Sequence, residues 1–390
     1  MTILPPHFVL LQVLPALDAG GVEQTTLDIS RSVVAAGGVS LIACAGGRLE
    51  SALAETGGRL IRMPLDRKSP IALADCALRL RQLIATDKVS LVHARSRAPA
   101  FAAFAAARAA HVPLVTTYHG VYNARSGLKR WYNRIMTRGE VTIANSEFTR
   151  DHILKTHHVA PERVVAIPRG VDLGRFDPAA ISRDRVMAMR ATFGLADNDP
   201  RLAILLPARL TRWKGQLLLI DALADLSDEG RQGQIRLIIA GDPQGRIGYV
   251  DEIQRRIADR RLQDSVVVTG HLEDMPAAYR AVDAAAAPSI EPEAFGRGAV
   301  EPQIMGLPVL AADHGAVRET VEEGVTGFRL APGDVGAWTR GLRRLLDLGP
   351  DGRAAMGAAA ALRSRRLYSL DAMCAATLKV YEEVLRARPE

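Results

Sequence analysis

The chain has 390 residues, 48% hydrophobic and 24% charged, a composition that fits a folded protein of two or three domains and excludes disorder, collagen-like repeats and coiled coil. Aromatic residues are only 5%, too few for a nucleic-acid stacking platform, and Cys44, Cys76 and Cys374 are too scattered for a disulfide framework or a cysteine zinc site, which suits a reducing cytoplasm. The net charge of +7 lies in the first half: residues 1–177 hold 22 Lys and Arg against 14 Asp and Glu, the rest 28 against 29, so that half is expected to attract a polyanion, an anionic membrane surface or a phosphorylated substrate.

Residues 1–17 have no basic stretch before their apolar run and no small-residue cleavage site, so the run at 8–14 reads as a first buried strand and not a secretory signal. Further strands are expected at 39–44, 60–63, 90–93, 114–117, 141–144 and 164–167, with helices at 22–36, 71–85 and 98–110 between them. The alanine-rich stretch 99–118 is interrupted by Arg108 and His111 and is no membrane span. Pro, Gly and Asp punctuate 168–178 as a linker. Strands then resume at 202–206, 234–240, 265–269, 284–287 and 308–311, and the chain closes on an amphipathic helix at 370–386. The expected fold class is α/β: two Rossmann-like domains, 1–178 and 179–369, with parallel sheets facing a central cleft.

Four constellations fall at predicted strand ends. Gly20 and Gly21 precede a helix, where backbone N–H groups can meet phosphate oxygens, although such a pair also serves as a plain turn. His119 and Gly120 follow the 114–117 strand; His93 is placed similarly with weaker support. Arg209 and Lys214 lie on one strand-to-helix loop and could clamp a leaving diphosphate. Glu293 and Glu301 are spaced to accept hydrogen bonds from sugar hydroxyls, and two glycosidase carboxylates would give the same pattern. Asp197 and Asp199, before Pro200, read as a turn, so no metal site is expected. The segment 125–138 carries five basic residues and an apolar stripe of Leu128, Trp131, Tyr132, Ile135 and Met136; it is either an interfacial helix on lipid headgroups or an ordinary packed one.

Taken in order, these residues resemble glycosyltransferase family 4, the retaining glycosyltransferases of the GT-B fold. Gly20-Gly21-Val-Glu23, His119-Gly120, Arg209 with Lys214-Gly215, Glu293 through Glu301 and Gly324 to Phe328 match its motifs, and 144–150 and 167–172 resemble its inter-domain signatures. Arg169 stands where Asn is common, Gln303 where Ala is usual, and 242–246 departs from the usual glycine-rich loop.

The resemblance implies that 1–178 binds the acceptor, completed by a C-terminal helix (370–390) crossing back onto it, and that 179–369 binds a nucleotide diphosphate-sugar. Gly20 and Gly21 would meet the donor diphosphate, Arg209 and Lys214 would neutralise the leaving phosphate, and Glu301 would hold ribose hydroxyls. Glu293, with the Phe295 and Gly296 backbone, would hold the transferred sugar, and His119 would contact that sugar near the anomeric carbon. The expected function is retaining hexosyl transfer to a glycan or lipid-linked acceptor in lipopolysaccharide or other cell-surface glycan assembly. No cofactor or metal is expected, nor nucleic acid as a partner. The expected location is the cytoplasm, including the inner face of the cytoplasmic membrane through 125–138. The alternative is a non-catalytic GT-B-like binding or scaffold subunit.

Overall fold

Strands buried on both faces are what a parallel sheet with helices on either side requires, and the chain supplies two such sets. The computed structural model describes residues 4–18, 20–122, 126–226 and 230–387. They fall into two units, Met1–Gly170 with Leu370–Glu390, and Val171–Ser369.

Among the described residues the first unit carries a seven-stranded parallel sheet: β1 (Val9–Val13), β2 (Val39–Cys44), β3 (Arg59–Arg62), β4 (Leu91–Ala94), β5 (Leu114–Tyr118), β6 (Val141–Ala144) and β7 (Val164–Ala166), in the order β3-β2-β1-β4-β5-β6-β7. Successive residues serve opposite faces. Leu11, Val13 and Val92 pack with Leu80 and with buried alanines of the helix Arg97–Ala109. Leu10, Leu91 and Val115 pack with Ile29 and Val33 of the helix Gly21–Ala35 and with Met373, Leu378 and Tyr381 of the last helix, Leu370–Arg386. That last helix therefore belongs to the core of the first unit. A buried polar chain secures it: His93 bonds the Tyr381 hydroxyl through Nδ1 at 2.5 Å and Thr117 Oγ1 through Nε2 at 2.7 Å. With both ring nitrogens engaged in the interior, His93 is a structural residue.

In the second unit the described residues form a six-stranded parallel sheet: β8 (Leu202–Pro207), β9 (Ile235–Ala240), β10 (Val266–Gly270), β11 (Ala284–Ala287), β12 (Val309–Ala312) and β13 (Gly327–Leu330), ordered β10-β9-β8-β11-β12-β13. Ile204, Leu206, Leu237 and Ile239 pack with Leu219 and Leu223 of the helix Gln216–Asp225 and with Trp338 and Leu342 of the helix Val335–Asp347.

Two features differ from the sequence reading. Residues 171–178, expected in the first domain, belong to the second unit: the Val171 N–H donates to the Tyr368 carbonyl at 2.8 Å, and Phe176 is buried beside Tyr279. Strand β13 was not expected, because its four residues include a glycine and an arginine; pairing with β12 at the sheet edge supplies what local pattern lacks. Tyr381→Phe strands a buried ring nitrogen of His93 and should cost about 1–3 kcal/mol. Urea unfolding of the full chain should show a lowered midpoint, whereas an unmoved midpoint would mean that apolar packing alone holds the last helix.

Candidate active site

In the first unit the strand order reverses between β1 and β4, the place where loops part and ligands bind in such sheets. Gly20 caps the helix Gly21–Ala35 with φ of 147°, and a Cβ there would lie 2.7 Å from Glu23 Oε2. The Gly21 carbonyl accepts from Thr25 Oγ1 at 2.7 Å and from Arg169 Nη1, and the same guanidinium nitrogen reaches Thr25 Oγ1 at 3.1 Å. Arg169 Nη2 lies 2.9 Å from His119 Nδ1 just beyond β5. Asn145 Nδ2 donates to the His119 carbonyl at 3.2 Å. Burial, reinforced by the Arg169 and Arg95 charges, holds the His119 imidazole well below its ordinary pKa, so it is neutral at neutral pH.

In the second unit the order reverses between β8 and β11, and the loops leaving these two strands, with the helix that follows β11, carry the remaining candidate residues. Lys214 ends the short turn Arg212–Lys214. Gly215 follows at φ 77°, and a Cβ there would sit 2.0 Å from the Pro288 carbonyl oxygen, so only glycine lets this loop press onto the end of β11. The approach brings two candidates together: Lys214 Nζ pairs with Glu293 Oε1, which also accepts from Ser289 Oγ at 2.6 Å. Lys214 lies 4.2 Å from the centre of the Trp213 ring. Arg209 is exposed and donates to Gln244 Oε1 at 3.4 Å.

Glu301 lies inside the helix Arg297–Ile304 and is buried. Its Oε1 accepts from Arg297 Nε at 2.8 Å and Nη2 at 2.6 Å, and its Oε2 accepts from the Tyr279 hydroxyl at 3.1 Å. Burial and the neighbouring carboxylate push the Tyr279 phenol well above its usual pKa, keeping it a donor. The Phe295 side chain is buried edge-on to Tyr368.

Sequence reasoning noted Arg169 only as an unusual residue and gave no role to Asn145, Tyr279, Ser289 or His314. The last two meet through His314 Nε2 and the Ser289 carbonyl at 2.8 Å, a contact across 25 residues that no local pattern announces. Asp197 pairs with Arg183 at 3.0 Å, and Asp199 accepts from Arg201 Nη2 at 2.6 Å, so both are engaged in ion pairs. Among the described residues no group of three or more His, Cys, Asp or Glu is arranged to hold a metal.

The basic segment splits. Arg125 lies outside the described residues; Ile135 and Met136 are buried, Tyr132 is half-buried, and Leu128 and Trp131 are exposed at 75% and 63%. Lys129, Arg130, Arg134 and Arg138 are exposed beside them. No helix among the described residues is long and apolar enough to cross a membrane.

Comparison with known proteins places this geometry. Residues 19–175 match the Glycosyltransferase Family 4 model and residues 191–363 the model for glycosyl transferases group 1. A D-inositol 3-phosphate glycosyltransferase of Xylanimonas cellulosilytica is 30% identical over 293 residues, 71% of this chain and 68% of that protein. A glycosyltransferase from Rickettsia africae ESF-5 superposes with a TM-score of 0.91 at 30% identity, covering 98% of this chain and all of that one. Anabaena Alr3699/HepE in complex with UDP shares the fold, with a TM-score of 0.84 at 23% identity, over 96% of this chain and all of that one. Other relatives with the inositol phosphate name match over less of their length, 57% for that of Salinispora arenicola and 47% for one from Mycobacterium sp. (strain KMS).

The chain belongs to glycosyltransferase family 4 and is a glycosyltransferase with the GT-B fold of two Rossmann-like domains. Membership in this family of transferases displaces the scaffold alternative.

Proposed function

We propose that the protein moves a hexosyl group, with retention of configuration, from a nucleotide diphosphate-sugar to a glycan or lipid-linked acceptor. The pathway proposed is assembly of lipopolysaccharide or another cell-surface polysaccharide or glycolipid. The observation that carries the donor reading is the meeting of Lys214 and Glu293 at the β8–β11 reversal, with Arg209 on the same loop as Lys214 and Glu301 in the helix that follows.

A leaving diphosphate gains negative charge as the glycosidic bond breaks, and Arg209 and Lys214 stabilise that charge more in the transition state than in the ground state. Lys214 exchanges its carboxylate partner for phosphate oxygens, which releases Glu293 toward sugar hydroxyls. Glu301, held in orientation by Arg297 and Tyr279, accepts from ribose hydroxyls. In the first unit Gly20 and Gly21 offer N–H groups suited to phosphate, and His119 offers a neutral imidazole suited to a sugar hydroxyl. Fixed cations supply the role a divalent metal has in other sugar-nucleotide enzymes, so the reaction is proposed to run without one.

Exposed Leu128 and Trp131 beside four cations suit an anionic bilayer surface, which supports a lipid-linked acceptor and a peripheral position on the inner face of the cytoplasmic membrane. A second reading, a small phosphorylated acceptor, is favoured by the inositol phosphate name that the relatives bear. Transfer to D-inositol 3-phosphate in place of a lipid acceptor would decide for it.

Lys214→Ala and Glu301→Gln should each lower turnover about 10²–10³-fold while the circular dichroism spectrum is unchanged; wild-type rates in both would end the assignment of these residues. Turnover should persist in excess EDTA, and loss restored by magnesium or manganese would refute the metal-free reading. Reversing Arg130, Arg134 and Arg138 to Glu should release the protein from anionic vesicles in a flotation assay; equal binding by wild type and variant would remove this helix from the membrane reading.

A further inference from the structure

Arg169 touches both site elements of the first unit. One of its guanidinium nitrogens donates to the Gly21 carbonyl and Thr25 Oγ1, the other faces His119 Nδ1 at 2.9 Å. Guanidinium has no acceptor, so Nδ1 must accept, and the single proton of a neutral imidazole then lies on Nε2. Nε2 is buried and has no hydrogen-bond partner among the described residues. His119 lines a cavity of about 20 Å³ that Arg95 and Asn145 also line.

We propose that Arg169 is a positioning residue that locks His119 as the neutral Nε2–H tautomer, making it a fixed hydrogen-bond donor to a substrate oxygen and never a general base through Nδ1. This deepens the transferase reading and rests on it for the identity of the oxygen, but the tautomer itself can be measured without substrate. Asparagine, common here in the family, has an amide that can either donate or accept; arginine can only donate. The groups acting on His119 are His93 from β4, Arg95 just beyond that strand and Arg169 beyond β7; Thr25 and Asp28 belong to the neighbouring helix, and Asp28 acts on Arg95. The charged groups acting directly on the ring are thus cations, and each favours its neutral form.

The test is ¹⁵N NMR of the full chain labelled at histidine, with His119→Gln used to assign the signals. Wild type should show a protonated Nε2 and an unprotonated Nδ1 from about pH 5.5 to about pH 8.5. In Arg169→Met the signals should become a mixture of the two neutral tautomers. Its kcat should fall about tenfold with donor KM changed less than twofold. Arg169→Lys, with one donor point, should restore the tautomer in part. An Nδ1–H tautomer in wild type overturns the proposal, as does an Arg169→Met protein whose imidazole signals match wild type. If both proteins lack turnover with every nucleotide-sugar while the tautomers behave as stated, the transferase reading fails and the clamp stands.

Discussion

Each unit depends on one topological constraint: at a single place in a doubly wound parallel sheet, two neighbouring strands send their chains to opposite sides. The loops leaving them part, and the carboxyl ends of the central strands are left facing a gap. In the first unit this happens between β1 and β4, in the second between β8 and β11. The Gly20–Gly21 turn leaves β1; Arg209 and Lys214 leave β8; Glu293 leaves β11. Away from these ends each sheet is covered by helices and filled with aliphatic side chains.

Charge within the second unit is arranged in compensated sets. Lys214 and Glu293 keep only 15% and 17% of their side-chain surface, and either charge alone would be costly at such burial. Paired, they hold each other and Ser289 in place. Glu301 is treated in the same way by Arg297 and Tyr279.

The first unit shows a different balance. Its interior holds Arg95, whose Nε donates to the neutral amide oxygen of Gln12 at 2.6 Å, and His93 lies close by. Burial and the Arg95 charge keep His93 well below its ordinary pKa, and the same causes together with Arg169 act on His119. Both imidazoles are therefore neutral hydrogen-bonding groups. Through His93 and Tyr381 the last helix joins a network that also includes Thr117, two residues before His119, so the terminus of the chain helps shape the end of β5.

The alternation of buried runs and helical periods was enough to read the two parallel sheets from the sequence, because strands covered on both faces must be continuously apolar. It failed at β13, where a glycine and an arginine break the run and only the neighbour β12 makes a strand of it. The ordered motifs at strand ends were legible too, since residue type and spacing along one loop are local properties. Contacts between distant segments were not. That Lys214 meets Glu293, that residues 171–178 join the second unit, that His93 is structural, and that Arg169 grips His119 and Gly21 together are facts of three-dimensional closure. A side chain's partner depends on which strand ends the sheet order brings together, and that order is a collective property of the packed layers.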